Sequence, residues 1–125
     1  MKKLFLMATM LLMIGVANAQ IGEVKIDGSY AKIYNEQGSY SGNSIYIGSD
    51  KSVEGYNSRN IVVKDGSYAK IYDSKGSYTG NSIYLGSDKY IKNVSGSAIL
   101  VKDGSYVKYY DFKGSYTGNS TYDPK

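Results

Sequence analysis

Apolar and polar residues alternate along much of the chain beyond residue 20. In one clear segment, Ala69 and Ile71 share one phase of the alternation, and Tyr68, Lys70 and Tyr72 share the other. Residues two apart on a strand point to the same side, so this pattern predicts a β-strand with a small, branched inner face and a Tyr-Lys-Tyr outer face. No segment beyond residue 20 repeats its apolar residues with the period of a helix. We therefore predict an all-β domain without a helix.

The alternation belongs to a longer repeat. The tetrapeptide Asp-Gly-Ser-Tyr begins at Asp27, Asp65 and Asp103, which are 38 residues apart. The copies are 24–61, 62–99 and a truncated 100–125. Self-similarity of this length is typical of supersecondary units that bury their apolar faces against one another. Gly-Ser pairs, mostly ten residues apart, divide the copies further and predict about ten strands.

Each copy contains a hairpin signal. The Asp-Gly pairs are Asp27-Gly28, Asp65-Gly66 and Asp103-Gly104. A two-residue Asp-Gly loop suits a type I′ turn, in which both central residues have positive φ. We expect these hairpins to form a shallow, pseudo-symmetric barrel, with small and branched residues inside and the tyrosines and lysines outside or at the rim.

The N-terminal segment has the pattern of a secretory signal peptide. Lys2 and Lys3 precede an apolar run over 4–16, and a small-residue cleavage site ends at Ala19, before Gln20. This pattern predicts a signal peptide over 1–19 and a single hairpin-repeat domain over 20–125, located outside the cell or in the periplasm.

The composition excludes several kinds of chemistry. The chain contains neither cysteine nor histidine, which excludes thiol and imidazole catalysis and most zinc, haem and iron–sulfur sites. The pair Ser67 and Lys70 would face opposite sides of a strand, so it is a poor catalytic pair. Asp73 lies in a turn with a lysine, which opposes calcium binding, and Asn81 is interpreted as a left-handed turn residue. We predict no enzyme activity, no metal and no cofactor.

The remaining candidates are binding and structure. Lys and Arg (15) only slightly outnumber Asp and Glu (11), and the two signs alternate, so no basic face indicates nucleic acid. Six of the 15 tyrosines alternate with a lysine in the repeated pattern Tyr-x-Lys-x-Tyr, and these tyrosines and lysines form the candidate outward binding face. This face comprises Tyr30, Lys32, Tyr34, Tyr68, Lys70, Tyr72, Tyr106, Lys108 and Tyr110. Such rows fit binding to an envelope glycan or a membrane-lipid surface, multiplied by avidity. The alternative is a structural or self-associating envelope component.

The segment Asp65–Tyr84 resembles the repeats of bacterial β-flower proteins, with Ile71-Tyr72-Asp73 and Gly76 matching their turn. The resemblance covers 21–122 and implies a small, often secreted chain whose hairpins form four or five petals around a shallow barrel. It implies no established activity, and the barrel's similarity to the tubby-like domain suggests membrane or lipid contact by analogy. The run from Tyr72 to Gly80 also resembles the Tyr-Asp repeats of large secreted shells and toxins. Those repeats usually carry arginine after the glycine, so we rank this resemblance second.

Overall fold

The computed structural model describes residues 20–125, and the predicted signal peptide over 1–19 lies outside the described residues. These residues form eleven β-strands and no helix. The strands are β1 Ile21–Asp27, β2 Tyr30–Asn35, β3 Tyr40–Tyr46, β4 Lys51–Tyr56, β5 Asn60–Asp65, β6 Tyr68–Asp73, β7 Tyr78–Tyr84, β8 Lys89–Val94, β9 Ile99–Asp103, β10 Tyr106–Tyr110 and β11 Tyr116–Tyr122. The predicted all-β class is therefore confirmed for this part of the chain.

The strands make three separate sheets, and within each sheet every strand pairs antiparallel with the next strand in sequence. Sheet 1 contains β1 to β3, sheet 2 contains β4 to β7, and sheet 3 contains β8 to β11. Hydrogen-bonded strand pairing stops at the edge of each sheet, so no closed barrel is found within residues 20–125. The described strands form three short meanders, and the expected barrel stays a prediction.

The sheets are offset from the sequence copies. β4 lies in the first copy but pairs with β5, which leads into the second copy, and β8 pairs with β9 in the same way. Sheets 2 and 3 are therefore each assembled from two successive copies. Sheet 1 has only β1, β2 and β3 because, within the described residues, no strand equivalent to β4 precedes it.

Two apolar clusters hold the three sheets face to face. The first lies between sheets 1 and 2 and includes Ile33 and Ile61. The second lies between sheets 2 and 3 and includes Ile71 and Ile99. In β5, Ile61 and Val63 belong to the first cluster and Val62 to the second, and all three are completely buried. Sheet 2 is therefore the middle layer, covered on both faces, and this packing is typical of repeat stacks.

The backbones of neighbouring sheets also touch at glycines. A Cβ atom at Gly76 would lie 2.9 Å from the carbonyl oxygen of Ser44, and one at Gly114 would lie 2.6 Å from that of Ser82. Real Cβ atoms do not approach backbone oxygens so closely, so the β6–β7 turn sits tightly on sheet 1 and the β10–β11 turn on sheet 2. The equivalent Gly38 has nothing within 4 Å of its Cβ position.

At several positions of the repeat, the outer faces of the stack carry polar residues and the equivalent interior positions carry apolar ones. Glu23 and Lys25 occupy, on the outer face of sheet 1, the positions that Ile61 and Val63 occupy in sheet 2. At the other end, Thr121 and Asp123 replace Ile83 and Leu85. The Asp123 carboxylate pairs with Lys92 and Lys102, which are its nearest cations on sheet 3. Polar terminal faces are what soluble repeat stacks require.

The predicted hairpin turns form, but not with the predicted geometry. Asp27 pairs directly with Tyr30, so the loop residues are Gly28 and Ser29, not Asp27 and Gly28. Gly28 has φ +62°, and no residue other than glycine has positive φ in the part of the chain that the structure describes. Positive φ at the first central residue alone is the type II′ pattern, so the type I′ prediction is wrong. The same pairing holds at Asp65-Gly66 and Asp103-Gly104.

Candidate functional site

The structure groups the predicted tyrosines and lysines into three equivalent sets, here named Tyr–Lys clusters 1, 2 and 3. Each contains four tyrosines, one lysine and one aspartate from three adjacent strands or their turn. Cluster 1 is Asp27, Tyr30, Lys32, Tyr34, Tyr40 and Tyr46; cluster 2 is Asp65, Tyr68, Lys70, Tyr72, Tyr78 and Tyr84; cluster 3 is Asp103, Tyr106, Lys108, Tyr110, Tyr116 and Tyr122. All nine predicted binding residues thus fall within them, three in each cluster.

Cross-strand pairing brings the tyrosines of each cluster together. In cluster 2, Tyr68 lies opposite Tyr84, and we name these two residues the outer pair. Their ring centroids are 5.3 Å apart and their interplanar angle is 64°. The inner pair is Tyr72 and Tyr78, which also lie opposite each other, with ring centroids 5.6 Å apart and an interplanar angle of 46°. Clusters 1 and 3 have the same two pairs at 5.4 to 5.6 Å. Aromatic pairs prefer such edge-on or tilted geometry, so the pairs also stabilise each hairpin.

A lysine lies between the two tyrosine pairs. Lys70 Nζ is 2.9 Å from Asp65 Oδ2 and 5.4 Å from the centroid of the Tyr78 ring. The ion pairs of the other clusters, Lys32 with Asp27 and Lys108 with Asp103, measure 2.6 and 2.9 Å. The hydrogen bond from Lys70 lowers the pKa of Asp65 below its ordinary value and raises the pKa of Lys70 above its own. The corresponding hydrogen bonds lower the pKa values of the aspartates and raise those of the lysines in clusters 1 and 3.

The outer tyrosines are open to solvent to the same degree in every sheet. Tyr30, Tyr68 and Tyr106 are 46%, 45% and 46% exposed, although sheet 1 has no neighbour on that face. The neighbouring sheet therefore does not cover this part of the clusters. Tyr72 and Tyr110 differ, because both are partly buried and pack against the apolar clusters between sheets. Their predicted outward position is only partly right, since each also anchors the stack.

A bulge in β3, β7 and β11 positions the two tyrosines that each of these strands contributes to its cluster. In β7, two additional residues, Thr79 and Gly80, separate Tyr78 from the part of the strand that pairs with Lys70. Gly80 has φ +90°, and Thr79 Oγ1 donates a 2.6 Å hydrogen bond to the carbonyl oxygen of Ile71. Asn81, expected to be the left-handed residue, is an ordinary strand residue, since the preceding glycine already provides the positive φ.

Sequence reasoning missed this second row of tyrosines. The row comprises Tyr40, Tyr46, Tyr78, Tyr84, Tyr116 and Tyr122. The signal was present as the repeated Tyr-x-Gly-Asn-Ser-x-Tyr, whose glycine marks a bulge. The bulge leaves both tyrosines of this motif opposite tyrosines of the preceding strand.

Acid titration is expected to release the three ion pairs. Since the pKa of Asp65 is lowered in the folded chain, its contribution to stability is complete above the unfolded value of 3.8 and is lost as pH falls through the lower folded value. The carboxyl carbon NMR signals of Asp27, Asp65 and Asp103 should therefore titrate with midpoints below 3.8. Lys70→Gln should move the Asp65 midpoint upward and leave that of Asp103 unchanged. A wild-type midpoint at or above 3.8 would contradict the pairing.

Over residues 20–125, no group of three or more acidic side chains is arranged to hold a metal ion. The same range has no helix of the length and hydrophobicity that a membrane span requires. Comparison with known proteins returned no matching family, no matching curated protein and no matching solved structure.

Proposed function

We propose that this chain is a non-enzymatic binding protein of the periplasm or the cell exterior, and that it attaches to an envelope polymer or surface through its Tyr–Lys clusters. The observation that carries the proposal is the recurrence, on all three sheets, of one arrangement of four tyrosines, one lysine and one aspartate in which three of the tyrosines are exposed to solvent. The ligand classes are an envelope glycan and a membrane-lipid surface.

The distribution of exposed aromatic side chains supports this proposal. Of the eleven large hydrophobic side chains exposed in the described residues, nine are tyrosines of the three clusters. Tyrosine combines a broad apolar face with a hydroxyl that hydrogen-bonds, and it is enriched at binding surfaces. The same three tyrosine positions are exposed in each copy, so these rings are available to a ligand at every cluster.

The repetition of the clusters favours a ligand that can bind several of them at once. Each sheet contributes one cluster, so the stack presents three equivalent sites in a row. A polymer or a surface that offers the same group many times can engage all of them, and the linked contacts multiply affinity. A small molecule that occupies one cluster would gain nothing from the other two.

The competing structural role is less well supported. Head-to-tail assembly would join the outer face of sheet 1 to that of sheet 3, but Glu23 and Lys25 lie on the first and Asp123 on the second. Charged residues at the ends of a repeat stack oppose its continuation. The β-flower resemblance and its barrel stay predictions, and the binding proposal does not depend on them.

Removal of the outer tyrosine pairs tests the proposal. Tyr68→Ser with Tyr84→Ser should weaken co-sedimentation with purified cell-wall sacculi or phospholipid vesicles by about 3- to 30-fold, because one of three linked sites is lost. The corresponding six-fold variant should abolish binding. It changes Tyr30, Tyr46, Tyr68, Tyr84, Tyr106 and Tyr122 to serine.

The matched control is Tyr90→Ser, which removes an equally exposed tyrosine outside the clusters. Its binding should equal that of the wild type. Circular dichroism must first show that each variant is folded. Unchanged binding of the folded six-fold variant, or equal loss in the control, would overturn the proposal.

A further inference from the structure

The charge of each Tyr–Lys cluster is internally compensated. Lys70 donates a hydrogen bond to Asp65, and the two side chains are only 32% and 27% exposed. The corresponding lysines and aspartates of clusters 1 and 3 make the same pairs. Within each cluster, one cation and one anion at hydrogen-bond distance give a formal charge of zero. Beside clusters 2 and 3, Lys51 lies opposite Asp65 and Lys89 lies opposite Asp103 in the neighbouring strand. An anionic headgroup or phosphate would have to compete with the aspartate for the lysine.

The two tyrosine pairs of a cluster differ in what they offer a ligand. The inner pair is already engaged, because the Lys70 ammonium lies 5.4 Å from the Tyr78 ring and Tyr72 packs into the core. The outer pair of cluster 2, Tyr68 and Tyr84, has no lysine over its rings, whereas in cluster 1 the Lys51 ammonium lies 5.9 Å from the centroid of the outer Tyr46 ring. Their interplanar angle of 64° places the edge of one ring against the face of the other, so only that one face is covered by the partner ring.

One ring of the outer pair is also held in place by the backbone in clusters 1 and 2. A Cβ atom at Gly86 would lie 3.3 Å from Cε2 and the hydroxyl oxygen of Tyr84, so the ring rests against the backbone of the β7–β8 turn. Gly48 supports Tyr46 in the same way, with a Cβ position 3.1 Å from its hydroxyl oxygen. A ring with restricted motion loses less entropy when a ligand packs on it.

Resting on the binding role proposed above, we infer that the ligand is an uncharged polysaccharide, whose sugar units stack on the outer tyrosine pairs. A pyranose ring presents a face of C–H bonds that carries partial positive charge, and it packs on the negative face of an aromatic ring. Its hydroxyl groups match the phenol oxygens of the tyrosines. A chain of repeated sugars presents the same face again to the next cluster, and it does not have to displace any ion pair.

Affinity electrophoresis tests the ligand class directly. Wild-type protein would be run through native gels that contain a neutral polysaccharide (dextran, mixed-linkage β-glucan or hydroxyethylcellulose) or the anionic alginate. In parallel it would be sedimented with vesicles of phosphatidylglycerol. We expect retardation by at least one neutral polymer, with a Kd that changes less than twofold between 50 and 500 mM salt, because no net charge is neutralised on binding.

A charge variant provides the matched comparison. Asp27→Asn, Asp65→Asn and Asp103→Asn together leave the three lysines uncompensated. This variant should gain salt-sensitive binding to phosphatidylglycerol vesicles, by tenfold or more over the wild type at 50 mM salt. Its retardation by the neutral polymer should fall by no more than about threefold, since the stacking platform is intact.

The outcomes separate this inference from the role on which it rests. Wild-type binding to alginate or phosphatidylglycerol that depends on the outer tyrosines, without retardation by any neutral polymer, overturns the inference and leaves the binding role standing. Retardation that the six-fold tyrosine variant retains overturns both. Wild-type protein that binds none of the probes overturns the inference as well.

Discussion

Gly114→Ala is expected to destabilise the protein by about 2–5 kcal/mol, against about 1–2 kcal/mol for the same change at Gly38. Both glycines have left-handed backbones, with φ of +83° and +85°, so alanine carries the same conformational penalty at each. Only the Cβ at Gly114 also meets a backbone oxygen, that of Ser82 at 2.6 Å. The difference between the two variants therefore measures how tightly sheet 3 is seated on sheet 2.

Urea unfolding followed by far-ultraviolet circular dichroism provides the measurement. Gly76→Ala, whose Cβ would lie 2.9 Å from the oxygen of Ser44, should fall nearer to Gly114→Ala than to Gly38→Ala. Equal losses at all three positions would show that the cost is confined to the turn. In that case the turns would not form part of the contact between sheets.

The second large effect concerns the face between sheets 1 and 2. Ile61→Glu with Val63→Lys installs in the interior the pair that sheet 1 carries on its outer face. Both positions are completely buried, and each buried ion costs several kcal/mol even after partial pairing. The double variant should lose at least about 5 kcal/mol, which is comparable with the whole stability of a domain of this size. We expect sheet 1 to detach from the stack.

Limited proteolysis with identification of the fragments checks this result. Cleavage in the double variant should begin within residues 20–50, while the wild type resists at the same protease concentration. The exchange in the opposite sense, Glu23→Ile with Lys25→Val, is the control, because these side chains are exposed and their loss should change stability little. Wild-type resistance of the double variant would show that the interface tolerates charge.

The opposite exchange also tests what the polar ends do. When Thr121→Ile and Asp123→Leu are added to Glu23→Ile and Lys25→Val, these four positions of the outer faces carry the apolar residues found at the equivalent interior positions. Sedimentation velocity should then detect concentration-dependent head-to-tail association that the wild type does not show at equal concentration. A monomeric four-fold variant would contradict the view that these residues limit the stack.

Much of the local structure could be predicted because it depends on neighbours in sequence. The alternation of Ala69 and Ile71 with Tyr68 and Lys70 correctly separates the two faces of β6. The turn type was missed because the hairpin register lies one residue further on, which makes Gly66-Ser67 the loop. A shift of one residue changes which backbone position must be left-handed.

The stacking of the sheets was harder to predict because alternation identifies an apolar face without showing what covers it. The run Ile61-Val62-Val63 contained the missing information, since three consecutive apolar residues on a strand indicate burial on both faces. The contrast with Glu23 and Lys25 at two of the equivalent positions would have identified sheet 1 as an end of the stack.

The offset between copies and sheets determines how this architecture can change in length. Each boundary between copies falls inside a sheet, so neighbouring copies are joined by the hydrogen bonds of β4 with β5 and of β8 with β9. An additional 38-residue copy inserted in the middle of the chain would complete one more sheet and add one more Tyr–Lys cluster. Both polar ends would be unchanged, because they are encoded near the two ends of the described chain. The number of clusters can therefore rise or fall by whole copies without redesign of any contact between sheets.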